Sequence, residues 1–167
     1  MKILHTSDWH LGMSAWNTSL EEDQRFFLQQ LYQIIKDEKV DAVLCAGDIY
    51  DSSVSNADAI AVYNDAATTI CTELKVPFLV IAGNHDGAPR LSSCRELLKA
   101  AGLFVTGRLT REISPVSFPD IDIYLVPFFH KEEVMALFPE RKKEIISQEK
   151  AMQVICDEIR KNMNKNK

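Results

Sequence analysis

Three short apolar runs divide the first half of the chain, each followed at once by glycine, aspartate or other polar residues. Lys2–Ser7, Ala42–Ala46 and Pro77–Ile81 read as strands. Between them the apolar residues switch to helical spacing. Phe27, Leu28, Leu31, Ile34 and Ile35 form one stripe of a helix over Leu20–Glu38. Ile60, Tyr63, Ala67, Ile70, Cys71 and Leu74 mark a second helix, which Asn56 or Asp58 can cap. Strand–helix–strand–helix–strand with short links predicts an α/β fold, a parallel sheet built from right-handed crossovers and flanked by helices.

The second half is less regular. Pro89 suits the start of a helix and Gly102 its end, with Leu91, Cys94, Leu97 and Leu98 facing inward. Leu103–Val105 and Ile121–Val126 read as further strands around a Pro-marked loop. Phe128–Phe138 reads as a loop and a short helix. A long helix is predicted over 140–163, with Ile145, Met152, Ile155, Cys156, Ile159 and Met163 on one face. The terminal NMNKNK has no apolar partner and is expected to fray.

Composition adds bounds. The 167 residues are enough for one domain with a real core, and 46% hydrophobic with 26% charged excludes a disordered or fibrous chain. Lys and Arg number 19 against 24 Asp and Glu, a net charge of −5, so no overall basic footprint marks a nucleic-acid binder. Attraction for phosphate would have to come from bound cations or a partner. Cys45, Cys71, Cys94 and Cys156 form no CxxC pair and read as core thiols of a reduced, cytoplasmic protein. No apolar run approaches a membrane span of about 18 residues, and the amino terminus lacks a signal-peptide core.

The candidate chemistry sits where the strands end. In a parallel sheet all carboxyl ends share one edge, and ligands bind there. Asp8 and His10 follow the first strand, Gly47-Asp48 and Asp51 the second, and Gly83-Asn84-His85-Asp86 the third. Carboxylate, imidazole and amide donors without a thiolate suit Mn²⁺, Fe²⁺ or Zn²⁺. Two such ions would form a clamp for in-line attack at phosphorus, with Asp48 on the central strand as the bridging ligand. His85 would protonate the leaving oxygen or bind the phosphate, and the Asp51 carboxylate would orient it. Asp86 reads as a turn stabiliser, His5 as a packed or edge residue and His130 as a surface residue. Trp9 either walls the site or only packs.

The strings HTSDWHLG, AGDIYD and AGNHD resemble the first three signatures of the calcineurin-like metallophosphoesterases, and within them the narrower group of SbcD-type nuclease subunits. The resemblance runs from residue 1 to about 127. It implies the first half of a four-layer α/β/β/α sandwich. It implies Asp8 and His10 on one Mn²⁺, Asp48 bridging, Asn84 on a second ion, and His85 as catalytic imidazole with Asp51 beside it. It also implies exonuclease or endonuclease action on double-strand DNA ends and hairpins in repair, recombination and replication. An SbcC-like ATPase would be the partner, and the full-length protein would be a homodimer. The family's later histidine motifs have no match, because the chain offers only His5, His10, His85 and His130. The second ion site is therefore incomplete, and residues 1–167 are expected to be a truncated, inactive nuclease domain. The alternatives are a general metallophosphoesterase acting on nucleotides or phosphoproteins, and an inert folding or dimerisation module.

Overall fold

The computed structural model describes residues 1–163. Its centre is a four-stranded, wholly parallel sheet of β1 (Ile3–Thr6), β2 (Ala42–Cys45), β3 (Phe78–Ile81) and β4 (Leu103–Thr106), in that spatial order. Helix α1 (Glu21–Asp37) joins β1 to β2. Helix α2 (Ala57–Thr68), continued by a π-helical turn over Thr69–Glu73, joins β2 to β3. The expected α/β architecture is present, with each strand within a residue or two of its predicted bounds.

The main core lies between these helices and the sheet. Leu28, Leu31, Tyr32 and Ile35 of α1 and Val62, Ala66 and Ile70 of α2 pack with Val43, Phe78 and Val80. The α1 stripe is rotated from the expected one. Phe27 and Ile34 remain substantially exposed, while Tyr32 is buried. Two adjacent apolar columns run along this helix, and the i, i+3, i+4, i+7 column from Leu28 is the one that meets the sheet. On α2, Ile60 is likewise exposed and the buried line is Ala59, Val62, Ala66 and Ile70. The small residues on that line let the helix approach the sheet closely. Asn56 caps α2, its Oδ1 accepting from Ala59 N–H at 2.8 Å.

Other expectations are corrected. The segment from Pro89 to Gly102 is broken into Ala88–Leu91, Arg95–Leu98 and a 3-10 turn at Lys99–Ala101. The break is at Cys94, which adopts left-handed φ +55°, and it leaves Leu97 77% exposed. Gly102, at φ +88°, ends the segment as anticipated. Only Asp122–Ile123 of the strand expected over 121–126 is strand, paired antiparallel with Val116–Ser117 outside the main sheet. The loop after β1 contains a small hairpin, Ser14–Ala15 with Thr18–Ser19.

The helix expected over 140–163 is α4, after a short α3 (Lys131–Leu137), and it spans only Gln148–Asn162. Pro139 opens a 3-10 turn instead, and Ser147 sets the true start by accepting from Lys150 N–H at 3.2 Å. Ile145 is buried from the preceding turn, whereas Met152 and Met163 stay largely exposed. A second core forms here from Phe129, Val134, Phe138, Ile145, Val154 and Ile155. Arg141 fastens the turn to α4 through Asp157 at 3.0 Å and Glu158 at 3.5 Å, and pairs with Glu144 at 2.7 Å within the turn segment. Of the terminal NMNKNK, residues 164–167 lie outside the described residues.

Candidate metal centre

The site is built by three chain reversals at the carboxyl edge of the sheet. After β1 the backbone turns through Asp8 at φ +55° and His10 at φ +45°; after β2 it turns through Gly47 at φ +93° and Asp48 at φ +51°. Left-handed backbone costs a non-glycine residue about 1–2 kcal/mol, so neighbours must impose it. The two reversals hold each other. Asp8 N–H donates to Gly47 O at 3.0 Å, His10 N–H to Asp48 O at 3.0 Å, and Leu11 N–H to Ile49 O at 2.9 Å. Trp9, between the two candidate ligands, is buried against Phe78 with ring centroids 5.7 Å apart, and its Nε1–H donates to Thr6 Oγ1 at 3.0 Å. It packs and anchors the turn.

The third reversal, Gly83–Asp86, closes on the second. A side chain on Gly47 would meet Gly83 Cα at 2.7 Å, and one on Gly83 would meet Asp48 Oδ1 at 2.0 Å. Only a glycine pair permits this approach. It brings His85 N–H within 3.0 Å of Asp48 Oδ1. Asn84 is exposed in the same bend, one residue earlier.

Of the expected ligands, Asp8, His10 and Asp48 come together. His10 Nε2 lies 3.8 Å from Asp8 Oδ1 and 3.9 Å from Asp48 Oδ2. These separations are too long for hydrogen bonds. They match donors about 2.1 Å from one ion, which sit about 3–4 Å from each other. His10, Asp51 and His85 form a second, overlapping group. Among the described residues no lysine or arginine pairs with Asp8, Asp48 or Asp51, so their charge is left for a cation. His10 Nδ1 is buried without a hydrogen bond; Asp51 Oδ1 is 3.3 Å away but off the bonding direction. The donor set fits a divalent ion. No thiolate joins it: Cys45, buried on β2, has its thiol pushed up by burial and then by the Asp86 carboxylate.

One contact differs from expectation. The Asp51 carboxylate faces His10, and it is the Asp51 backbone carbonyl that holds His85, 2.9 Å from Nδ1. A carbonyl only accepts, so Nδ1 carries the proton and Nε2 is left for substrate. This bond, ahead of the Asp48, Asp51 and Asp86 charges, raises the His85 pKa above its ordinary value. Spacing in a sequence reveals side chains, and a carbonyl contact leaves no mark there. His130 is exposed, its N–H donating to Glu133 Oε1 at the start of α3. A separate cavity of about 690 Å³ beside β4, lined by Arg95, Phe104 and Arg108, contains none of these residues.

This centre, set on a parallel α/β sheet, coincides with a family match. The model of the calcineurin-like phosphoesterases covers residues 1–152, and the chain belongs to that family. Membership implies divalent-metal binding. Two similar proteins are more particular. The SbcD subunit of nuclease SbcCD from Staphylococcus epidermidis is 31% identical over 167 residues, covering 100% of this chain and 44% of that protein. Its counterpart from Staphylococcus saprophyticus is 33% identical over 141 residues, 84% of this chain and 38% of that protein. The chain thus spans less than half the length of these relatives. Among the described residues no helix is long and apolar enough to cross a membrane.

Proposed function

We propose that this chain carries the metal-binding half of a DNA phosphodiesterase centre of the SbcD type, serving DNA repair with an SbcC-like ATPase. The observation that carries the reading is the cluster of Asp8, His10 and Asp48, with no lysine or arginine partner among the described residues, beside an imidazole held by a backbone carbonyl. Asp8, His10 and Asp48 would hold one divalent ion, Mn²⁺ being our choice, and Asp48 with Asn84 would contribute to a second. When bound, such ions supply a hydroxide at neutral pH and positive charge at the phosphate oxygens.

The remaining chemistry belongs to the chain. Asp48 is fixed by the His85 N–H on Oδ1, which leaves Oδ2 turned toward His10. His85 presents Nε2, from which a protonated imidazole can donate to a leaving oxygen. Asp51 orients the His85 imidazole through its carbonyl, while its carboxylate lies 3.3 Å from His10 Nδ1 without a hydrogen bond.

A full-length protein carrying these residues, purified with its ATPase partner and Mn²⁺, is to be assayed on linear duplex DNA, p-nitrophenyl phosphate and cyclic nucleotides. Cleavage of DNA ends that Asp48→Asn abolishes is the expected result. Hydrolysis of the small esters without DNA cleavage would overturn the nuclease reading in favour of a general phosphoesterase.

A further inference from the structure

We propose that Asp86 is a positioning residue that sets the geometry of the ion site from behind; this rests on the metal-site reading above. Asp86 is the one charged residue buried among the described residues, at 7% exposure. No lysine, arginine or histidine pairs with it there. Its three partners are backbone amides: Gly83 N–H at 2.8 Å and Ile49 N–H at 3.2 Å on Oδ2, and Tyr50 N–H at 2.9 Å on Oδ1.

The distribution of these bonds is the argument. A carboxylate that served only its own turn would need only the Gly83 bond, three residues back. The bonds to Ile49 and Tyr50 reach 37 and 36 residues back, to the two positions directly after Asp48. Asp86 therefore ties the reversal carrying Asp48 to the reversal carrying Asn84 and His85. Asp48 stands in left-handed backbone and must be held on both sides. The β1 loop holds it through His10 N–H, and Asp86 holds the amides that follow it. An ionised carboxylate is acceptor-only, which suits a pocket presenting three donors. An amide would turn an NH₂ group against at least one of them. A carboxylate buried for this purpose acts as an outer support does for a ligating side chain, and loss of such supports typically weakens metal affinity about 10–100-fold.

The test is Mn²⁺ binding by calorimetry, with thermal unfolding measured in parallel. Asp86→Asn should weaken Mn²⁺ binding by about 10-fold or more. Val154→Ala, a truncation on α4 in the second core, separate from the cluster that holds Trp9 and Ile49, should lower Tm yet leave Mn²⁺ affinity unchanged. If Asp86→Asn fails to fold, Asp86→Glu, which keeps the charge but shifts the oxygens, takes its place. Hydrogen exchange on the unmutated protein is the second readout. Peptides containing Ile49–Tyr50 and Gly83 should gain protection together when Mn²⁺ is added. Wild-type Mn²⁺ affinity in a folded Asp86 variant, or no change in exchange at those peptides, would overturn the inference. Absence of Mn²⁺ binding in the unmutated protein, or binding that survives Asp48→Asn, would instead overturn the metal-site reading on which it stands.

Discussion

Replacing Gly83 by alanine tests the site with a single methyl group. Gly83 does not need glycine for its φ; it needs the space. The added Cβ would lie 2.0 Å from Asp48 Oδ1, 2.4 Å from Asp48 N and 2.8 Å from Asp48 Cγ. Ordinary contact begins at 3.4 Å, so the carboxylate oxygen must retreat by about 1.4 Å. The side chain alone cannot relieve the clash, because the backbone nitrogen is also too close. The β2 and β3 reversals must part, and the His85 N–H to Asp48 Oδ1 bond is broken. Overpacking of this kind costs about 1–3 kcal/mol of stability. A misplacement near 1 Å at a reacting centre costs on the order of 10²-fold in rate. Gly83→Ala should therefore fold with a reduced Tm, bind Mn²⁺ more weakly and lose about 10²-fold of any DNA cleavage. Calorimetric titration, a melt and a duplex-end assay measure the three. Wild-type Mn²⁺ affinity in this variant would refute the reasoning, since it would mean that Asp48 is not a ligand or that the loops do not hold it.

The remaining predictions concern separate parts of the molecule. In a full-length protein of this type, His85→Ala should leave Mn²⁺ affinity nearly unchanged while lowering phosphodiester cleavage about 10²–10⁴-fold; metal content that fell with activity would make His85 a ligand. Residues 1–167 alone offer three donors to one ion and two to another, so titration should find one weak Mn²⁺ site and negligible nuclease activity; two tight sites would refute this. Asp8→Gly should abolish Mn²⁺ binding without lowering the metal-free Tm, because glycine relieves the φ +55° strain of an exposed residue; a large drop in Tm would show that Asp8 supports the fold. Asp157 and Glu144 have their pKa values lowered by hydrogen bonds to Arg141. A depressed folded pKa stabilises above the unfolded value, about 4, and that support is lost as pH falls through the folded value. The Tm difference between wild type and Asp157→Asn should accordingly shrink on acidification below about pH 4.

The sheet and the polar edge that carries the candidate ligands are legible in the sequence because each signal is local. A short apolar run ending in Gly-Asp or Gly-Asn-His specifies both a strand and the reversal that exposes its polar residues. The helices are legible as elements but not as faces. Two neighbouring apolar columns on α1 satisfy the same periodicity, and contact with the sheet decides between Phe27 and Tyr32. The segment from residue 88 to 102 departs from the expected single helix because a left-handed residue at Cys94 has no sequence marker, unlike Gly102. The start of α4 is displaced because Ile145 continues the helical spacing while belonging to a turn; Ser147, a good cap, is the signal that marks it. The pairing of Asp51 with His85 is legible from spacing, but the atoms that make it are not.

Strain explains why these supports cluster around the ligands. Asp8, His10 and Asp48 each occupy left-handed backbone, at roughly 1–3 kcal/mol apiece. Their sum is comparable with the whole stability of a small domain, about 5–15 kcal/mol. Left-handed backbone also occurs singly at Lys39, Lys75 and Cys94, so the strain by itself does not mark a site. Here the strain persists because many contacts oppose its release: Trp9 against Phe78, the amide–carbonyl bonds between the first two reversals, the Gly47–Gly83 approach and the three bonds to Asp86. Each contact acts on a candidate ligand or on a residue within two positions of one. Supports spread for stability alone would favour the core helices, where no such strain exists. Their placement is what a site must have if three donors from two separate strands are to be held within 4.8 Å of one another before an ion arrives.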